Sequence, residues 1–168
     1  DMEFLLKKIV TQVNIPIMID STEIPVIERA LQITPGKCVV NSINFENKKK
    51  KARKILTLCK EYGASIVALT IDEEGMAKTV ERKLEIAERI YNLVVNEFKI
   101  HPGDLIFDPL TFTLGSGDEE FRKSAIATID GIKLIKEKFK GVKTILGLSN
   151  ISFGLNPYTR QILNSLML

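Results

Sequence analysis

The chain has 168 residues, 45% of them hydrophobic, which is enough to bury one substantial core and favours a single domain. Lys and Arg number 24 against 21 Asp and Glu, a formal charge of +3 that is too small and too evenly spread to mark a nucleic-acid or anionic-membrane partner. The two cysteines, Cys38 and Cys59, sit in apolar stretches without metal-ligand spacing, so no disulfide framework or zinc site is expected, a reducing cytoplasm fits best, and no apolar run approaches the ~20 residues of a membrane helix.

In chain order, residues 4–13 carry a helical period and residues 15–19, Ile-Pro-Ile-Met-Ile, form the first nearly continuous apolar run. A helix is expected over 23–33, a strand over 38–40 and a helix over 47–62. The next strand is expected over 66–71, followed by an amphipathic helix over 78–98. There Val80, Leu84, Ile86, Ala87, Ile90, Leu93 and Val94 recur three or four apart, with Glu81, Arg82, Lys83, Glu85, Glu88 and Arg89 in the polar gaps. Residues 105–107 and 144–148 give two more strands, and 118–138 and 157–166 two more helices. Apolar runs that are continuous rather than alternating mark strands covered on both faces, as in a parallel sheet. Gly36, Gly63, Gly103 and Gly141 each follow a helical stretch and precede a strand, where a left-handed helix end favours glycine. Asp118 is expected to cap its helix, with Glu119 and Glu120 in the positively polarised first turn.

About five βα units of roughly 25 to 40 residues result. Two parallel folds use such units, the doubly wound sheet and the closed barrel. No glycine-rich turn follows residues 15–19, so the barrel is favoured over a nucleotide-binding sheet. A complete eight-stranded barrel takes roughly 250 residues. The expectation is therefore α/β, of the parallel (β/α) TIM-barrel type, with about five of the eight strands present. Residues 1–8 lack a signal-peptide layout. The start on Asp1 and the apolar ending Leu166-Met167-Leu168 are read as truncation at both ends of one domain spanning 1–168.

A polar residue follows the apolar run of every strand: Asp20, Asn41, Asp72, Asp108 and Asn150. Any one of these could simply cap the helix of its loop. Five strands making the same choice point instead to one mouth, where a βα barrel builds its active site. Three carboxylates and two amides could hold a hard cation such as magnesium. They could also read a neutral heterocycle, because a fused pyrimidinone edge offers two parallel N–H donors to one carboxylate while amides pair with ring atoms of either kind. The mixture of Asp and Asn fits the heterocycle better, and no metal is expected.

The segments Ile17-Met18-Ile19-Asp20-Ser21, Val40-Asn41-Ser42-Ile43, Ile71-Asp72-Glu73-Glu74-Gly75, Ile106-Phe107-Asp108-Pro109 and Gly147-Leu148-Ser149-Asn150-Ile151-Ser152-Phe153-Gly154 occur in this order. Together they resemble the pterin-binding (folate) domain of cobalamin-dependent methionine synthases, from about Ile15 to the last residue. The resemblance implies that Asp108 accepts from the pterin amino group and ring N–H, that Asp20 and Asn41 read the remaining ring edge, and that Asn150 lies near the methyl-bearing ring nitrogen. It further implies methyl transfer from methyltetrahydrofolate to reduced cobalamin carried by a partner domain or protein. Asn150 and, in a supporting electrostatic role, Asp72 are then the catalytic residues. Arg160 would meet the folate tail, or is a solvated helical arginine. Dihydropteroate synthase is similar in fold and in its pterin-reading Asp and Asn, but its seventh strand typically ends in Ser-Arg-Lys where this chain has Ser149-Asn150-Ile151.

Two other readings stand beside methyl transfer: a pterin-shaped pocket without chemistry, and an open βα sheet that pairs its edges with a second copy as a homodimer. His101 is read as a surface-loop residue. Gly115-Ser116-Gly117 is read as a flexible loop, since the acidic residues that follow would repel an anion, and the lysines of 48–51 as a solvated helix face. Cys59 is read as core.

Overall fold

A computed structural model describes residues 2–46, 49–117, 119–121 and 123–168. Five strands, β1 (Met18–Asp20), β2 (Val39–Ile43), β3 (Ser65–Leu69), β6 (Leu105–Asp108) and β7 (Lys143–Thr144), form one sheet in the order β1-β2-β3-β6-β7. Every pairing in it is parallel. The pair β4 (Ile71–Asp72) and β5 (Gly75–Met76) makes a separate antiparallel hairpin. The helices are α1 (Met2–Ile9), α2 (Ile24–Ile33), α3 (Lys50–Tyr62), α4 (Val80–Tyr91, continued by a π-helical turn over Asn92–Glu97), α5 (Ser124–Lys138) and α6 (Pro157–Met167).

The core lies between one face of this sheet and the helices. Ile19, Val40, Ile66, Ala68, Leu105 and Phe107 pack against Ile27, Leu31, Ile55, Leu56, Ile86, Ala87 and Ile90. Because strand side chains alternate in direction, the residues between them project to the other side. That side is only partly covered: Met18 is exposed, Val39 and Ile106 are half-buried, and only β3 is buried along nearly its whole length. The sequence reading of strands covered on both faces is thus corrected. Apolar continuity reported an inner barrel face, which closure rather than a second helix layer would cover.

Three element boundaries also differ from the sequence reading. The expected strand 66–71 breaks at Thr70, whose N–H donates to Asp108 O (3.1 Å) and whose Oγ1 donates to Pro109 O (2.9 Å). The chain there leaves the sheet for the hairpin, which turns at Glu73-Glu74 and returns on Gly75 with φ 101°. The last strand ends at Thr144 rather than 148, because Gly147 (φ −71°, ψ 68°) forms an inverse γ-turn closed by Leu148 N–H to Leu146 O at 2.8 Å. The helix expected from 118 begins at Ser124, after a 3-10 turn over Glu119–Phe121. The Phe121 ring stacks on Phe112 at 4.7 Å and fastens this segment to the preceding loop. The cap expected at Asp118 lies outside the described residues, as do Asn47 and Lys48, where α3 was expected to open.

Gly36, Gly63 and Gly141 take positive φ as expected of helix ends, but Gly103 does not. The left-handed residue at that junction is Lys99, at φ 58°.

Ile66, fully buried on the central strand, tests this core. Ile66→Ala is expected to lower unfolding free energy by about 2–5 kcal/mol, measured by denaturant titration; a loss under about 0.5 kcal/mol would contradict the packing described.

Candidate functional site

Register decides which strand-end residues can meet. Asp20 pairs with Asn41, Asn41 with Val67 and Val67 with Ile106, while one step further along the same face Leu69 pairs with Asp108. Asp20, Asn41 and Asp108 therefore project from the C-terminal edge on the face opposite the helices. Asp20 and Asn41 line one hollow of about 210 Å³, together with Ser42, Asn44, Glu46 and Leu69 among others. A register irregularity between Asn41 and Ile43 lets β2 turn Asn41 and Ser42 toward this hollow. Neither the Asp20 carboxylate nor the Asn41 amide accepts or donates a side-chain hydrogen bond within the described residues, so both are available to a ligand.

Asp108 stands two strands away and is half-buried. Its Oδ1 accepts the Leu110 N–H at 2.9 Å. Burial pushes its carboxyl above the ordinary range, opposed by the Leu110 N–H and the charge of Lys83. A carboxylate with two oxygens has acceptor sites beyond the one Leu110 uses.

Asp72 is placed differently from the other strand-end residues. It belongs to the hairpin, is 1% exposed, and its acceptors are occupied within the protein. Oδ2 accepts from Arg82 at 2.6 Å and from Arg89, and Oδ1 accepts the Glu74 N–H at 3.1 Å. Arg89 also pairs with Glu73 at 2.9 Å and lies over the buried Phe45 ring at 5.5 Å. The break at Thr70 turns Asp72 toward α4, which places it apart from the hollow.

Asn150 is exposed on a 3-10 turn after β7, Leu148–Ser152, whose Ile151 and Ser152 are buried. Its amide approaches the backbone at Gly147, where a Cβ would come within 3.0 Å of Asn150 Nδ2. The loop after β6 supports this turn: Thr113 Oγ1 donates to Phe153 O at 2.9 Å, and a Cβ on Gly115 would meet Phe153 O at 2.9 Å. Gly115 is thus a close-packing position. Arg160 sits half-buried on α6. Neither Asn150 nor Arg160 lines the hollow of Asp20 and Asn41.

One residue assigned by the sequence to a polar gap is corrected. Lys83 is 1% exposed, and its Nζ donates to Ala77 O (2.9 Å), Pro109 O (2.6 Å) and Leu110 O (3.1 Å). Burial brings its pKa down to about 8, with Asp108 acting the other way. The signal was present in the sequence: Lys83 precedes Ile86, Ala87 and Ile90 by three, four and seven residues, on the buried stripe itself.

His101 is exposed in the turn before β6, at the opposite end of the sheet from Asp108, and its Nδ1 accepts the Gly103 N–H at 3.0 Å. Burial pushes the Cys59 thiol up to about 12, as befits a core residue. Among the described residues no group of three or more His, Cys, Asp or Glu could hold a metal ion, and no helix is long and apolar enough to cross a membrane.

Carboxylates and amides on the ends of parallel strands, over an open (β/α) sheet, define a barrel-type ligand-binding domain of the α/β class. The family model described as pterin binding enzyme matches residues 2–168, and the chain belongs to that family. It is 47% identical over 171 residues to a methionine synthase of Mycobacterium leprae and 44% identical to one of Mycobacterium tuberculosis. Each match covers all of this chain and 14% of the relative. A dihydropteroate synthase of Yersinia pestis in complex with a sulfonamide drug superposes with a TM-score of 0.60 at 10% identity, over 98% of this chain and 62% of that one. A second structure of the Yersinia pestis enzyme, with a pterine-sulfa conjugate, gives 0.59 at 9% identity, over 98% and 64%. The fold is accordingly that of an incomplete TIM-type barrel.

Two measurements check this site. Asp72→Ala would remove the buried carboxylate that Arg82 and Arg89 share, leaving them only their more exposed partners Glu74, Glu85 and Glu73, and is expected to cost about 2 kcal/mol of stability by denaturant titration; an unchanged midpoint would show the cluster to be idle. Lys83 has a folded pKa of about 8 against an ordinary 10.5, so the unfolded chain binds more protons between those values and stability rises with pH across that window. Thermal melts from pH 8 to about 10.5 should show that rise in the wild type and lose it in Lys83→Met. A flat wild-type profile would contradict the burial of the ammonium.

Proposed function

We propose that this chain is the pterin-binding domain of a methyltetrahydrofolate:corrinoid methyltransferase, one domain of a larger cytoplasmic enzyme of the methionine synthase kind. The single observation that carries the reading is the shared face of Asp20, Asn41 and Asp108 at the C-terminal strand edge. Three unrelated helix caps would have no reason to fall on one side of the sheet.

In this reading Asp108 accepts two parallel N–H donors of the pyrimidinone edge. Asp20 and Asn41, facing each other across β1 and β2, pair with the rest of the ring. A heterocycle held at several points is oriented before any chemistry begins. The methyl carbon leaves with the C–N bond pair remaining on nitrogen, and an amine is a poor leaving group until it carries a proton. Asn150, exposed on its turn, is the residue proposed to hydrogen-bond that nitrogen and favour its protonated form. Asp72, neutralised by Arg82 and Arg89, is given the lesser part of holding the hairpin beside the site. Arg160 is proposed to meet the carboxylates of the folate tail. The corrinoid that takes the methyl group is supplied by a partner domain or protein, and no residue of this chain is assigned to it. The likeness to methionine synthases at 44–47% identity and the departure from Ser-Arg-Lys at Ser149-Asn150-Ile151 favour methyl transfer over pterin condensation.

Calorimetric titration of methyltetrahydrofolate into the full chain is the test of binding, and demethylation on addition of reduced cobalamin, followed by absorbance, is the test of chemistry. Asp108→Ala is expected to abolish binding with an unchanged circular dichroism spectrum; retained affinity would remove the central assignment. Asn150→Ala should lower the methyl-transfer rate by roughly 10²-fold while weakening binding much less. An equal loss in both would argue against a transition-state role.

A further inference from the structure

Asp108 can read a ligand only while the turn after it is held. Its Oδ1 is fastened to the Leu110 N–H at 2.9 Å, and Leu110 stands at φ 58°, a left-handed conformation that a leucine keeps only when its surroundings enforce it. Thr70 Oγ1 donates to Pro109 O and Thr128 Oγ1 to Leu110 O, both at 2.9 Å. Lys83 Nζ donates to the same two carbonyls, at 2.6 and 3.1 Å, and uses its third donor on Ala77 O.

For satisfying carbonyls alone a lysine is a costly choice, since burying an ammonium carries a large desolvation penalty. The two threonines already supply neutral donors to this turn. What neutral donors cannot supply is positive charge beside Asp108. The fold keeps room for it: a Cβ on Gly131 of α5 would come within 3.0 Å of Lys83 Cδ.

We propose that Lys83 is a positioning residue for the pterin-reading carboxylate, pinning the Pro109–Leu110 turn that orients Asp108 and supplying a positive charge close to that carboxylate. This rests on the reading of Asp108 given under Proposed function. Asp108 on β6 is the carboxylate that acts on Lys83 electrostatically. The other groups packed on the lysine, Gly131 of α5 and the Ala77, Pro109 and Leu110 carbonyls, are uncharged.

The test is a pH titration of the ligand-free full chain with 13C-labelled aspartate, read by NMR and paired with methyltetrahydrofolate calorimetry. In the wild type the Asp108 carboxyl resonance should show a second inflection near pH 8, as Lys83 loses its proton. In Lys83→Arg, whose charge is permanent, that inflection should vanish. In Lys83→Met the main carboxyl titration should move up by about one pH unit, and methyltetrahydrofolate affinity at neutral pH should fall roughly tenfold. A wild-type Asp108 resonance with no inflection near pH 8 overturns the proposal, whether or not either variant folds. So does Lys83→Met that folds and binds with wild-type affinity. Coupling in the NMR titration with no folate binding by the wild type overturns the pterin reading instead, and leaves the Lys83–Asp108 pairing standing.

Discussion

Everything at the site hangs on the parallel register of four strands. Side chains on a strand alternate with a period of two, so a slip of one residue would send Asp20, Asn41 or Asp108 into the helix-covered core and bring its apolar neighbour to the open face. Ile19, Val40, Ile66 and Phe107, each at most 1% exposed, prevent that slip by filling the core from alternate positions. Burying such side chains is worth roughly 1.5–3 kcal/mol apiece, far more than any single polar contact at the rim. The core therefore dictates where the polar groups point, and the face that carries Asp20, Asn41 and Asp108 is a by-product of apolar packing behind it.

Two carboxylates show how one fold assigns different tasks to the same chemical group. Asp72 is more deeply buried, yet two guanidinium groups meet it and tie the 71–76 hairpin to α4. Asp108 is less buried but has a single lysine nearby, engaged with main-chain carbonyls rather than in a close ion pair. Burial raises the Asp108 pKa above its unfolded value, so the stability linked to its proton is present at low pH and lost as pH rises through the folded pKa. The fold thus holds a carboxyl whose charged form it does not fully satisfy. A ligand offering two N–H donors would offset that cost, which is the physical ground for the proposed pairing of Asp108 with a pterin edge.

Most of the architecture was legible because buried strands and amphipathic helices leave strong periodic traces. The order of five strands and six helices, and the strand-end positions of Asp20, Asn41 and Asp108, follow from those traces. The hairpin at 71–76 was not legible, because Thr70 looks like a strand residue until its hydroxyl finds Pro109 O, a contact 39 residues away. Asp72 therefore reads in the sequence like the other strand-end residues, although the hairpin turns it toward α4. Lys83 is hidden by its charge, which by residue type points to the polar side, although its spacing from Ile86, Ala87 and Ile90 puts it on the buried one. The early end of the last strand was hidden in Gly147, whose turn depends on a local backbone choice that apolar character does not report.

A crystal structure of the full chain with methyltetrahydrofolate bound tests the central claim most directly. The account predicts the pterin ring over the C-terminal strand edge, its amino and ring N–H groups on Asp108 and its remaining edge within hydrogen-bond reach of Asp20 and Asn41. A ring bound elsewhere, or one that touches Asp108 while Asp20 and Asn41 stay with their own loops, would contradict it.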